Sequence, residues 1–373
     1  MSGVFLRKVA AAAAVLVASQ LAPHRLHAQP AVEQPIRLPV QIGGRTYALE
    51  TLVVRQAGQD RRPVALITHG ASFGTAGPVT LGWVRQWTHD LAHRGWLAVG
   101  VMRRGYGNSD GTIEDDAGTC AKPNVGHYLE GHADDLEAAL RAIARRPDAD
   151  MSRVLAIGHS SGGAATMALA ARPSVHLAAA VNVSGGLARR RLRLPSEPDP
   201  ECAPYEADLV RNFGRFGATA RMPTLWLYSE NDSWFGPALA RRLHAAFTAG
   251  GGRADLVMLP PFGQDGHAMF FASGGRQLLL PELDRFLRTN GLPTWDAAPF
   301  GPLLARLSPA DRDSVEQYMR MPTEKVLTLG PNGGVYWQWG EWTLEEARAK
   351  ALAYCRLKVG RVCSVAAENF DLK

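Results

Sequence analysis

The stretch Val154-Leu155-Ala156-Ile157-Gly158-His159-Ser160-Ser161-Gly162-Gly163 constrains the fold more than any other part of the chain. An unbroken apolar, β-branched run is the mark of a strand buried on both faces. Here it passes directly into Gly-x-Ser-x-Gly and then into the small residues and helical spacing of Ala164 to Ala171. A backbone that turns so tightly from strand to helix needs neighbours with almost no side chain. Gly158 and Gly162 supply them, and Ser160 is pushed out on top of the turn. A hydroxyl in that position, beside the free N–H groups of a helix start, suits a nucleophile whose attack creates an oxyanion. The competing reading is a glycine-rich turn with a bystander serine. The nucleophilic reading makes a further demand: an acid and a histidine must follow, in that order, at the ends of later strands.

Both are present. Pro223 to Tyr228 reads as a buried strand and runs into Ser229-Glu230-Asn231-Asp232. Ala254 to Leu259 reads as the next, followed by Gly263-Gln264-Asp265-Gly266-His267. Further strands are expected at Pro63 to Thr68, Trp96 to Met102 and Leu177 to Val183. Helices are expected at Trp83 to Arg94, Tyr128 to Arg146 and Arg276 to Thr289. Two alternating runs around Gly43-Gly44 read as an antiparallel hairpin at a sheet edge. Strands that alternate with helices predict an α/β fold, a mostly parallel sheet covered by helices on both faces. Ligands then sit beyond the C-terminal ends of the strands, where all these motifs fall.

Residues 36 to 290 resemble the α/β-hydrolase superfamily, within it the dienelactone-hydrolase-like and serine esterase branch. The matching pieces, in order, are Thr68-His69-Gly70-Ala71, Arg103-Arg104-Gly105-Tyr106-Gly107-Asn108-Ser109-Asp110-Gly111, the serine turn, the Asp232 loop and the His267 loop. The resemblance implies Ser160 as nucleophile, Asp232 as acid and His267 as base. Glu230 and Asp265 are the alternatives for the acid. Glu230 lies closer to the buried strand, and Asp265 is so near His267 that it is expected to tighten the loop instead. The oxyanion is expected on the N–H groups of Ser161 and Ala71, with Ser72 the alternative second donor, because a full His-Gly-Gly-Gly run is missing. His159 is expected to face the neighbouring helix or strand. In the superfamily the Arg103–Tyr106 loop is mostly structural, and contact with a substrate carboxylate is the alternative for Arg103, Arg104 and Tyr106.

The implied reaction is cleavage of a small-molecule ester or short peptide through an acyl-enzyme. It needs no cofactor, and no Cys-x-x-Cys or Cys/His cluster suggests a metal. The alternatives are a peptidase of the prolyl-oligopeptidase type and a non-catalytic binding protein on this scaffold. The net charge of +6 comes from scattered arginines, without the aromatic-basic stripe that nucleic-acid binding would show.

Arg7-Lys8, the short apolar run Val9 to Val17 and a small residue at Ala28 form a secretory pattern, so residues 1–28 read as a signal peptide and the protein as exported, periplasmic or secreted. The alternative is an uncleaved anchor; no membrane span is expected to remain after cleavage. Export makes disulfides plausible for the four cysteines. Cys355 and Cys363 bracket a short stretch and read as one pair, while Cys120 and Cys202 lie in loops on the same sheet edge; three connectivities are possible in principle. The hydrolase unit is expected over 29–293, with a short cap at 185–217 that has no long apolar run. A small α+β unit is expected over 303–373: a helix from Pro309, a hairpin around Pro331-Asn332-Gly333-Gly334, and a helix opened by Thr343-Leu344-Glu345-Glu346. Its aromatics Tyr336, Trp337, Trp339 and Trp342 are either the core of a small unit or a binding surface.

Overall fold

A computed structural model describes residues 31–58, 60–71, 78–114, 116–188, 202–272 and 274–373. The expected signal segment and Ser72 lie outside them. The chain opens with β1 (Ala31–Ile42) and β2 (Arg45–Gln56), paired antiparallel. Gly43 and Gly44 make the turn between them with φ of +55° and +78°. Two successive positive φ values define the hairpin turn whose twist matches its strands, and glycine takes them at least cost.

From there strand and helix alternate: β3 (Arg62–Thr68), α1 (Gly82–Ala92), β4 (Leu97–Val101), α2 (Val125–Ile143), β5 (Ala149–His159), α3 (Ser161–Ala170), β6 (Ala179–Val183), α4 (Ala203–Gly217), β7 (Pro223–Ser229), α5 (Pro237–Ala249), β8 (Arg253–Leu259) and α6 (Gly275–Thr289). The strands form one sheet in the order β1-β2-β4-β3-β5-β6-β7-β8. From β4 to β8 the neighbours are parallel, while β2 runs antiparallel to β4 and to β1. That order and sense are the α/β-hydrolase arrangement.

The sheet divides the apolar interior in two. Val64, Leu66, Val154, Ala156, Trp226 and Tyr228 point into the core under α2, α3, α4 and α5. Their neighbours Ala65, Ile67, Leu155, Ile157, Leu225 and Leu227 point into the core under α1 and α6. The two-residue period of a strand therefore feeds both layers even where the sequence reads as unbroken hydrophobicity.

The cap expected over 185–217 falls partly outside the described residues, at 189–201, but Ala203–Gly217 is a regular helix. It buries Tyr205, Leu209, Phe213 and Phe216, which join the core beneath α5 and the sheet. Its apolar positions are spaced at one helical turn, so no continuous run announces them. The start of α2 also lies earlier than expected, which puts His127 inside the helix.

The C-terminal residues form α7 (Gly301–Leu304), α8 (Pro309–Arg320), β9 (Val326–Leu329), β10 (Val335–Gln338), α9 (Leu344–Val359), β11 (Ser364–Glu368) and β12 (Asp371–Leu372). Their four strands make a separate antiparallel sheet, β10-β9-β11-β12. Thr343 and Glu346 cap α9 reciprocally, each covering a backbone N–H that the first turn leaves bare. Buried Lys325 donates to the carbonyls of Tyr318, Met319 and Met321 at the end of α8, at 2.8, 2.9 and 2.8 Å. Tyr336, Trp337 and Trp339 are half-buried, and Trp342 is exposed beneath the Arg85 guanidinium. Cys120 pairs with Cys202 and Cys355 with Cys363. Among the described residues no helix is long and apolar enough to cross a membrane.

Arg94, just past α1, is fully buried and makes a two-pronged contact with Asp284 of α6 at 2.6 and 2.8 Å. Thr294 and Trp295 donate to the same carboxylate from the segment leading to the C-terminal sheet. Burial alone would raise the Asp284 carboxyl, but the Arg94 charge and these donors hold it below its ordinary range. Arg94→Met, which strands that carboxylate, is expected to cost about 3 kcal/mol in urea unfolding. Arg94→Met/Asp284→Leu is expected to recover most of the loss.

Candidate active site

Ser160 stands between the last residue of β5 and the first of α3. Its φ of +55° and ψ of −126° are unusual for a residue with a Cβ. The tight turn exists because the backbone around it is bare. A Cβ on Gly158 would lie 2.2 Å from the Gly162 carbonyl oxygen, and one on Gly162 would lie 2.1 Å from that of His69. Any larger residue would push α3 off the sheet. The Ser160 N–H is anchored on the Val183 carbonyl at 3.0 Å.

The serine hydroxyl lies 3.1 Å from Nε2 of His267, whose Nδ1 lies 3.2 and 3.1 Å from the two carboxylate oxygens of Asp232. A carboxylate can only accept, so Nδ1 carries the proton and Nε2 presents its lone pair to the hydroxyl. Asp232 also accepts from the N–H groups of Trp234 and Phe235, both at 2.9 Å. Its burial works toward a raised carboxyl pKa. The hydrogen bond and charge of His267, with the Phe235 N–H, outweigh that and hold it below the ordinary carboxylate value.

The alternative acids do other things. Glu230 is exposed. Asp265 caps the short turn Gly266–Phe270, accepting from the His267 N–H at 3.0 Å, and holds Ser233 through its N–H at 3.0 Å and its hydroxyl at 2.6 Å. It ties the acid loop to the histidine loop.

Ser161 is the first residue of α3, where an N–H has no partner one turn back. Ala71 lines the same cavity as Ser160. A Cβ on Gly70 would lie 2.8 Å from that of Ser160, so the β3 loop passes directly over the serine. The loop is held by Arg103, which is fully buried. Its guanidinium donates to the Thr68 hydroxyl at 2.8 Å, the His69 carbonyl at 2.5 Å, His132 Nδ1 at 3.1 Å and the Ser161 hydroxyl at 3.3 Å. Arg104 pairs with Asp135, and Tyr106 is buried against His69. The Arg103–Tyr106 stretch is thus built into the scaffold, and neither of the two arginines faces the cavity.

His159 faces a neighbouring helical turn, as expected, the one over Gly266–Phe270. Its Nε2 donates to the backbone carbonyl of His267 at 2.9 Å. Its ring stacks on Phe270, with centroids 5.0 Å apart, and Phe270 stacks on Trp87 at 4.8 Å. The side chain therefore grips the turn that carries His267. Burial, aided by the neighbouring His267, pulls its pKa down to about 3. Its position in the strand hid this role, because only the packed loop shows what lies across from it. Two more buried histidines, His69 and His132, are pushed well below the ordinary value, by burial and then by the Arg103 charge.

Ser160 and His267 open onto a cavity of about 110 Å³. Trp83, Leu187, Trp234, Phe235 and Phe271 make its wall apolar and largely aromatic. A larger cavity, about 450 Å³, lies elsewhere, between β1, α1 and the C-terminal sheet.

No family model and no curated protein matches the chain. Among solved structures it is similar to a protein from Klebsiella pneumoniae subsp. pneumoniae MGH 78578 named as a dienelactone hydrolase, at 16% identity over 70% of this chain and 99% of that one, TM-score 0.46. The Pyrococcus furiosus esterase Pf2001 is similar at 11% identity over 69% and 90%, TM-score 0.46. Est1E from Butyrivibrio proteoclasticus, bound to ferulic acid, is similar at 16% identity over 68% and 98%, TM-score 0.46.

A histidine kept neutral by the fold makes stability depend on pH. The unfolded chain binds a proton at His159 below about pH 6.5, and the folded chain does not until about pH 3. The folded-state value is depressed, so the contribution is complete above about pH 6.5 and is lost as pH falls from there toward 3. His159→Gln removes one such proton. Its unfolding free energy, measured in urea across that range, is expected to fall less steeply than wild type by roughly 1.4 kcal/mol per pH unit.

Proposed function

We propose that the chain is a serine hydrolase that cleaves small carboxylic esters bearing compact apolar or aromatic groups. The observation that carries this reading is the hydrogen-bonded row Ser160–His267–Asp232 at the mouth of an apolar cavity. A serine hydroxyl is a weak nucleophile until a base takes its proton. His267 Nε2 takes it as Oγ bonds to the ester carbonyl carbon, and the carbonyl π-pair moves onto oxygen. Asp232 keeps the imidazole in the required tautomer and stabilises the imidazolium that forms. The N–H groups of Ser161 and Ala71 receive the oxyanion; donors of this kind are worth roughly 3–4 kcal/mol each. Collapse breaks the bond to the alcohol oxygen, which leaves with the proton from Nε2. Water, deprotonated by the same nitrogen, then releases the acid and restores Ser160. The sequence requires no cofactor.

Among the described residues the cavity wall offers apolar and aromatic contact and no arginine or lysine, which favours an uncharged group against them. We read the chain as an exported protein, with a hydrolase unit over 29–293 and a smaller unit over 303–373. Support comes from the secretory pattern at the start of the sequence and from the two cysteine pairs.

A fluorophosphonate probe is expected to label wild type and not Ser160→Ala. On short-chain and aromatic nitrophenyl esters, Asp232→Asn is expected to lower kcat by about four orders of magnitude. Ester turnover that survives in Ser160→Ala would sink the proposal. Anilides cleaved faster than the matching esters would replace it with a peptidase.

A further inference from the structure

The second cavity is bordered by a group of side chains that the hydrolase chemistry does not use. His89 on α1 and His93 one turn later lie on one face of the chain. Glu324, between α8 and β9, meets them from the C-terminal unit. All three are buried, and one nitrogen or oxygen from each lies within 4.8 Å of the others. His89 Nδ1 is 3.0 Å from Glu324 Oε1, and His93 Nε2 is 3.8 Å from the same oxygen.

The hydrogen bonds say what these atoms offer. Nε2 of His89 is 2.7 Å from Glu33 Oε2, on β1. Glu33 also pairs with Arg85 at 2.7 Å, so it is an anchored acceptor and Nε2 carries a proton. With that proton placed, a neutral His89 aims the Nδ1 lone pair at a carboxylate oxygen. Two electron-rich atoms at that distance require a cation. Among the described residues no lysine or arginine pairs with Glu324; its partners are His89, His93 and the Asn369 amide. Asn369 also donates toward His93 Nε2 at 3.1 Å, which makes that nitrogen an acceptor. A proton on His89 Nδ1 would satisfy two atoms. It would leave His93 Nε2 on the Asn369 amide, 3.8 Å from the same carboxylate oxygen.

We propose that His89, His93 and Glu324 bind a divalent transition ion of the zinc class. Ligand atoms on a tetrahedral zinc stand about 3.3 Å apart; the two distances to Glu324 Oε1, 3.0 and 3.8 Å, bracket that, and all three ligand atoms lie within 4.8 Å of one another. Two imidazoles and one carboxylate suit zinc or cobalt and do not suit calcium or magnesium. Glu33 holds His89 through its distal nitrogen, as a carboxylate beyond the ligands commonly does for a metal-bound histidine. Asn369 swings off His93, and the cavity supplies water at the open position. No Cys-x-x-Cys or Cys/His cluster marks a metal in the sequence; the His-x-x-x-His spacing of 89 and 93 gains a third ligand only through the fold. Since α1 belongs to the hydrolase sheet and Glu324 leads into the C-terminal sheet, the ion staples one to the other.

The test uses the untagged full chain, stripped with chelator and dialysed against excess Zn2+ or Co2+. One equivalent of metal per chain is expected, with visible d–d bands for cobalt. Zinc is expected to raise the unfolding midpoint by several degrees, reversed by EDTA. His93→Gln and Glu324→Gln, with folding checked by circular dichroism, are expected to bind at least tenfold more weakly. Glu33→Gln, which keeps every ligand, is expected to weaken binding by about 10–100-fold. Absence of cobalt bands in folded wild type would mean an imidazolium bridge only and overturn the proposal. So would metal content unchanged across all three variants.

Discussion

Everything at the C-terminal edge of the large sheet depends on three backbones that touch where side chains are missing. Gly158, one residue before the end of β5, lies against α3, Gly162 lets α3 start against the His69 carbonyl, and Gly70 carries the β3 loop over Ser160. With this contact made, Ser160 has little freedom but its left-handed backbone, and its hydroxyl has one place to go. A Cβ at any of the three would collide with backbone or with the serine itself. The cost would fall on the layer spacing of the fold, because a helix cannot lift off a sheet at one residue only.

Polar side chains then fix what the glycines bring close. Arg103, buried beneath the β3 loop, spends its guanidinium on carbonyls and hydroxyls of that loop and of α3. Asp265 binds the acid loop to the histidine loop, and His159 clamps the His267 carbonyl from the strand side. Arg103 and His159 accept burial in exchange for hydrogen bonds to backbone that would otherwise drift. The neutral histidines are the consequence: an imidazolium would lose its hydration without gaining a carboxylate, so burial holds the proton off.

The junction between the two sheets follows another rule. There the buried charges are paired, Arg94 with Asp284 and Arg276 with Asp90, while buried Glu324 and the more exposed Glu33 flank His89. Asp90 further accepts from the N–H and hydroxyl of Thr323, at 2.7 and 2.8 Å. Charges buried in pairs favour one mutual placement of the elements that carry them, because each alternative strands a charge. The face of α1 toward the sheet is apolar, with Val84, Trp87 and Leu91 in the core beneath it. Asp90, His89 and Arg94 turn the helix's other side and its end into a polar mounting for the C-terminal unit.

Local chemistry made part of this legible in the sequence. Buried strands announce themselves as apolar runs, a two-glycine turn fixes a hairpin, and the chain order of serine, acid and histidine narrows the search because strands project their ends to one edge. Thr343 and Glu346 gave away the start of α9 for the same reason, since a cap involves residues three apart. What the sequence withheld is whatever depends on a partner distant along the chain. It left α4 unannounced within 185–217, because a helix with one apolar face carries no continuous run. It turned His159 toward a neighbouring helix or strand without saying which; the ring meets a short helical turn more than a hundred residues later. It passed over His89 and His93, since a pair of imidazoles means little until Glu33 and Glu324 arrive from two other parts of the fold. Periodicity and turn chemistry are properties of neighbours and can be read along the chain; convergence of charges and lone pairs is a property of packing, and only the assembled layers decide it.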